Sequence, residues 1–148
     1  MRTIIISIFF VCFTQLAFSQ SYTKADLYSF ADSQDKKQIL DRLKVDGYKY
    51  RGGSGVLVMY AKTPDGKIVD ESEIEVFGFG KQEGLFLVTY KPKENLYSSF
   101  KTELLQDNYI FIEKKKKEEF YKNDNYIIGF QDKNGMILIM KKLNTDKH

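Results

Sequence analysis

Residues Val76–Val88 read VFGFGKQEGLFLV, and Ile127–Ile139 read IIGFQDKNGMILI. Gly78-Phe79 matches Gly129-Phe130, and Gly84 matches Gly135. The apolar residues after each second glycine match in type. Each stretch has the alternation and turn glycine of a β-hairpin. A second echo lies upstream: Leu43–Tyr50 (LKVDGYKY) against Leu104–Phe111 (LLQDNYIF), pairing Leu43 with Leu104, Asp46 with Asp107, Tyr48 with Tyr109 and Tyr50 with Phe111. The offset is fifty-one positions in the hairpins and sixty-one upstream, so the first copy carries ten extra residues between the matched segments. The long GGSGVLVMYAKTPDGK stretch accommodates them.

A unit of this size cannot bury its own sheet face, whereas two units side by side can. The expected fold is therefore a two-layer α+β sandwich from a tandem duplicated α-β-β-β unit. Six or so strands form a mostly antiparallel sheet, with both helices on one face. The first half covers about 24–91 and the second about 93–142.

Local signals fill in the elements. Asp32-Ser33 reads as an N-cap for a helix over QDKKQILDRLKV, with Ile39, Leu40 and Leu43 on one face and Gly47 as its stop. Residues 22–31 read equally as a short helix or an extended lead-in. Strands follow at YKY and VLVMYAK around RGGSG, then a turn at Pro64-Asp65-Gly66, then the first hairpin, which Pro92 ends. A helix near Asn95 repeats Leu96, Phe100 and Leu104 every four residues. NYIFIEK is a strand, KKKEEFYKND a charged connection with room for a short one, and the second hairpin turns at DKNG. Gly78 and Gly129 stand inside strands, where glycine costs about 0.5–1 kcal/mol against alanine. Close approach of a helix to the sheet is the expected reason. In MILIMKK both faces are apolar, so the sheet face away from the helices is expected to meet a partner or ligand, or to be covered by the lead-in and loops.

The N-terminus is read as a cleaved secretory signal peptide, residues 1–19. Arg2 precedes the apolar run Ile4–Phe13, and Ala17-Phe18-Ser19 provide small residues at the cut. This exit resembles the Gram-negative export signals in which glutamine follows the cleavage point; here that residue is Gln20. The lone cysteine, Cys12, lies inside the leader. Residues 20–148, read as a single α+β domain, therefore carry no disulfide, thiol nucleophile or thiolate metal site. The expected location is periplasmic or secreted, with no stable membrane anchor.

Little in the chain points to chemistry. The single histidine is the last residue, His148. That is poor support for a triad, a zinc site or an imidazole base. Arg51–Gly55 (RGGSG) could cradle an anion, but reads as a hairpin loop because no helix follows to add its dipole. Glu73 and Glu75 of DESEIE are read on one face of one strand, about 7 Å apart. Glycosidase carboxyls would instead face each other across a cleft. Lys114–Lys117 run straight into Glu118 and Glu119 and read as a solvated turn. The chain carries 23 Lys+Arg against 20 Asp+Glu, a formal charge of +3. That balance argues against nucleic-acid binding. No catalytic residue, cofactor or metal is assigned. Tyr50, Tyr60 and Phe79 are the candidates for a partner surface.

The duplicated helix-plus-sheet plan resembles tandem-repeat protein inhibitors of the β-lactamase-inhibitor kind. The likeness is of architecture; the disulfides of that family are missing, and no residue role carries over. It implies an exported, non-enzymatic protein engaged in protein–protein interaction. The alternatives are a small-molecule or lipid carrier with a pocket between helices and sheet, and a carboxylate-based hydrolase.

Overall fold

The computed structural model describes residues 21–64 and 70–144. The leader, most of the Pro64-Asp65-Gly66 turn and the last residues of the tail lie outside them. Among the described residues, three helices, α1 (Lys24–Ser33), α2 (Lys36–Val45) and α3 (Glu94–Leu105), accompany eight strands. These are β1 (Lys49–Ser54), β2 (Leu57–Lys62), β3 (Glu75–Gln82), β4 (Leu85–Lys91), β5 (Ile110–Lys115), β6 (Glu118–Lys122), β7 (Ile127–Gln131) and β8 (Met136–Lys142). The fold is α+β with one antiparallel sheet. Each half contributes four strands rather than about three: β1 and β2 form a hairpin in the first half, and the KKK segment carries the β5–β6 hairpin in the second. None of the helices described is long and apolar enough to cross a membrane.

The strand order is β1-β2-β3-β4-β8-β7-β6-β5, a palindrome of the two halves about the β4–β8 seam. Local details repeat as well. Register slips between Tyr50 and Gly52 in β1, and between Phe111 and Glu113 in β5. After α2 and α3 the chain turns through positive φ at Gly47 (84°) and Asn108 (58°). Glycine and asparagine are the residues that tolerate this helix exit. The extra length of the first half falls between β2 and β3, at residues 63–74, where the second half needs only 123–126.

All three helices pack on one face of the sheet. The core joins Leu27, Phe30 and Ala31 of α1, Ile39 and Leu43 of α2 and Tyr97, Phe100 and Leu104 of α3 to a single face of β3, β4, β7 and β8. Phe77 pairs with Tyr90, Tyr90 with Ile137, and Ile137 with Phe130, so these side chains share that face. Rings interlock across the layers: Phe30 meets Phe77 with centroids 4.9 Å apart, and Tyr90 meets Phe100 at 5.8 Å.

The ambiguous lead-in is a helix. Thr23 caps α1, and the Asp26 side chain accepts from the Thr23 N–H, completing a capping box. Asp32 and Ser33 form its last turn rather than the cap of α2. Gln34 takes a left-handed conformation, and Asp35 caps α2 instead, accepting from the N–H groups of Lys37 and Gln38. α1 has no counterpart in the second half and ties the halves together. The Tyr28 hydroxyl donates to Asp107 (2.9 Å), and Lys24 pairs with the same carboxylate (3.0 Å). At the other end Asp32 accepts from the Tyr126 hydroxyl and pairs with Lys141. Just before the helix, the Tyr22 hydroxyl donates to Asp46 of the first half.

The two strand glycines do not serve the helices. They share a face with Thr89 and Leu138, opposite the core. A Cβ on Gly78 would lie 2.7 Å from Thr89 Cγ2 and crowd Met59, and one on Gly129 would lie 2.9 Å from the Phe120 ring. The close approach is real, but it comes from side chains leaning across the uncovered face.

Candidate functional site

The face away from the helices is the candidate site, and register builds it row by row. Met59, Gly78, Thr89, Leu138, Gly129 and Phe120 are successive cross-strand neighbours over six strands. The row is near-symmetric about the seam: a large side chain, a glycine, two central residues, a glycine, a large side chain. Met59 and Phe120 fold inward over the bare glycines. Between them lies a groove of about 360 Å³, bordered also by Leu57 and Met136. The next row runs Leu57, Gly80, Leu87, Met140, Ile127 and Lys122. Leu57, Met59, Phe120, Ile127, Met136, Leu138 and Met140 are all half-buried, and no described residue outside the sheet lines the groove.

Gly80 fixes one margin. A Cβ there would overlap the Val56 carbonyl oxygen, with the Val56 carbon at 3.0 Å and Leu57 Cα at 3.3 Å. The β1–β2 turn is thus seated directly on β3. At about 4.8 Å per strand spacing, eight strands span about 34 Å. Over a strand length of about 17 Å the whole face, charged and polar positions included, covers roughly 600 Å².

Charge on this face is uneven. Side chains alternate along strands, so Lys49, Lys91, Lys115, Lys122 and Lys142 belong to the open face with Glu113 and Glu118. Glu113 pairs with Lys115 (2.9 Å), and Glu118 accepts from the Gln131 amide (2.8 Å). Among the described residues, Lys49, Lys91, Lys122 and Lys142 form no ion pair; Lys91 donates to the Glu71 carbonyl at 3.2 Å.

The structure places the three candidate aromatics elsewhere. Tyr50, Tyr60 and Phe79 form a ladder on the helix-side face, with centroids 5.6 Å and 6.2 Å apart. Phe111, Tyr121 and Phe130 repeat it in the second half. Tyr50 is 63% exposed at the sheet edge and Tyr60 half-buried, while Phe79 at 3% is core and not available to a partner. Sequence reasoning missed the open-face residues Met59, Phe120, Leu138 and Met140 as a set. The signal for them was the pair of glycines, read together with the doubly apolar β8.

The acidic segment spreads rather than converges. Asp70 caps a short 3-10 turn, Glu73 lies in that turn 3.8 Å from Lys93, and only Glu75 enters β3. Glu75 is buried: it is 2% exposed and accepts from the Tyr90 hydroxyl at 2.6 Å. The Tyr22 N–H donates to the same hydroxyl. Burial, and then the Glu75 charge, push the Tyr90 pKa far above its ordinary value, so Tyr90 stays a donor. Among the described residues no fully buried side-chain polar atom lacks a partner, which suits a packing role for the cluster. On the surface, the Tyr97 hydroxyl (2.7 Å) and then Lys101 hold the Asp132 carboxyl below the usual aspartate range. Arg51–Ser54 lie in β1 and lead to the Gly55 turn, and Lys116-Lys117 form the β5–β6 turn. Among the described residues, no cluster of three or more histidines, cysteines or acids is placed to hold a metal.

Comparison of the chain with protein-family models, with curated proteins and with solved structures returned no match.

Proposed function

We propose that this chain is an exported, non-enzymatic binding protein whose open sheet face engages another protein. The observation that carries the reading is the contrast between the two faces. The helix side is filled: Leu27, Ile39, Leu43, Phe77, Tyr90, Leu104, Ile137 and Ile139 are each fully buried there. A carrier would keep a cavity between those layers for its cargo. The opposite face covers roughly 600 Å², apolar in its middle rows and charged toward its margins, and has no cover among the described residues, an extent close to one side of a standard protein interface (about 800 Å²). Export rests on the leader, whose residues lie outside those described.

The test is a pull-down from the envelope extract of the source cells, with the mature protein and its Leu138→Asp variant as parallel baits. Leu138 sits at the centre of the Met59–Phe120 row and is half-buried, so an aspartate there places a charge in the groove. A protein recovered stoichiometrically by the wild type and lost with a folded variant supports the reading. A partner retained equally by both baits refutes the assignment of the face.

A further inference from the structure

We infer that the partner presents an acidic segment, its apolar side chains seated on one shelf of the open face and its carboxylates on Lys122 and Lys142. The inference rests on the open face being the binding surface. Leu87, Met140, Ile127 and Lys122 are consecutive neighbours in one cross-sheet row, and Leu85 pairs with Lys142 in the row beside it. Leu85, Met140 and Ile127 thus lie beside two lysines, while Leu87 is buried. A depression of about 880 Å³ is lined by those three apolar residues and both lysines, and bordered by the β6–β7 turn and the end of β8.

The fold does not neutralise these two cations. Lys24, Lys93, Lys101, Lys114, Lys115, Lys141 and Arg42 each meet a carboxylate within 4.0 Å. Among the described residues Lys122 and Lys142 meet none, as is also true of Lys49 and Lys91 on the same face and of several lysines elsewhere; what sets these two apart is that both are exposed and line the depression. The depression is lined by one acid, Asp124, against Lys122, Lys141 and Lys142. Lys141 points to the helix side, where it holds Asp32.

Magnitudes choose among anionic occupants. A duplex-binding protein makes about 6–10 phosphate contacts, and a lipid-binding cluster has about 4–8 basic residues. Two lysines beside an aliphatic shelf fall short of both. They match a protein segment that alternates carboxylates with aliphatic or aromatic side chains. A second copy of this chain fits poorly, since a two-fold contact sets a patch against itself and lysine against lysine.

The probe is a phage-displayed library of random 12-residue peptides, selected on the immobilised protein at low ionic strength. Enriched peptides are then synthesised, and their affinities measured for the wild type, the double variant Lys122→Glu/Lys142→Glu, and Leu138→Asp. The expected result is a set of peptides with net negative charge and interleaved apolar residues, weakened about tenfold or more by the double lysine variant and by added salt. Both lysines are exposed and unpaired, so the variant is expected to melt like the wild type. Peptides of neutral or basic composition, or affinities unchanged in the lysine variant, overturn the inference. If those peptides still lose binding to Leu138→Asp, the open-face reading survives. If neither variant alters binding, both fall. A library with no enrichment also overturns the inference, as does tight binding to phosphatidylserine vesicles that the lysine variant abolishes.

Discussion

Gly80 lies in an extended strand with no positive φ, so its backbone alone does not demand glycine. Alanine at such a position ordinarily gains about 0.5–1 kcal/mol. Here the added methyl overlaps the Val56 carbonyl oxygen and crowds Leu57 Cα at 3.3 Å. Both neighbours are backbone and cannot rotate aside. Ordinary carbon–oxygen contacts begin near 3.3 Å, so the β1–β2 turn has to lift by about 1 Å. Overpacking costs about 1–3 kcal/mol, and a rigid neighbour places this case at the upper end. After the alanine gain, Gly80→Ala is expected to lose about 2 kcal/mol. With a urea m-value of about 2 kcal/mol/M, the midpoint falls by about 1 M. Gly129→Ala is the control. Its obstacle is the edge of the Phe120 ring at 2.9 Å, and a ring can pivot, so its midpoint should move by less than about 0.5 M. Parallel urea melts followed by circular dichroism measure both. A Gly80→Ala midpoint equal to or above the wild type refutes the seating of the turn on β3, and with it that margin of the groove.

Removing the buried acceptor in Glu75→Leu leaves the Tyr90 hydroxyl unsatisfied and should cost about 1–3 kcal/mol; Glu75→Gln, which keeps an acceptor, should cost clearly less in the same melt. Tyr28→Phe deletes the bond to Asp107 and should cost about 1 kcal/mol, with its midpoint drop halved or more when Asp107 is already alanine, a double-mutant cycle that isolates the α1 tie. Asp132 has its folded pKa depressed by Tyr97 and Lys101, so its contribution is fully present above the usual aspartate value of 3.8 and is lost as pH falls through the lower folded value. Asp132→Asn should therefore flatten the fall in melting temperature as pH drops below the usual aspartate value while changing the neutral-pH value less; an unaltered acid limb would show that Asp132 does not carry it.

The repeated hairpin was legible because sheet pairing and turn glycines write a period-two code directly into the chain. The echo from Leu43 and Leu104 likewise marks equivalent helix ends, down to the positive-φ residues Gly47 and Asn108. Legibility failed where meaning depends on a partner distant in sequence. Residues 22–31 are a helix because Thr23 and Asp26 cap each other and because Leu27, Phe30 and Ala31 find the seam of a sheet whose last strand lies more than a hundred residues on. Glu75 looks like a surface acid until Tyr90 is placed opposite. Gly78 and Gly129 were recognisable as close-approach sites, but only register reveals that Met59 and Phe120, not the helices, make the approach. The open face was foreshadowed by β8, apolar on both sides, while the aromatics Tyr50, Tyr60 and Phe79 lie on the helix-side face, which only register reveals.

The palindromic strand order also sets an itinerary for folding. Each half begins at an outer edge of the sheet and ends at its centre, so the seam is made by the last strand of each half. Until β8 arrives, β4 has an unpaired edge bearing Phe86, Val88 and Tyr90, and α1 lacks half of the ground it packs on. Leu85 must wait for Lys142 and Tyr90 for Ile137, closures of long loops that favour slow, all-or-none assembly. A nascent chain halted before Met136 would thus expose a sticky, half-built sheet.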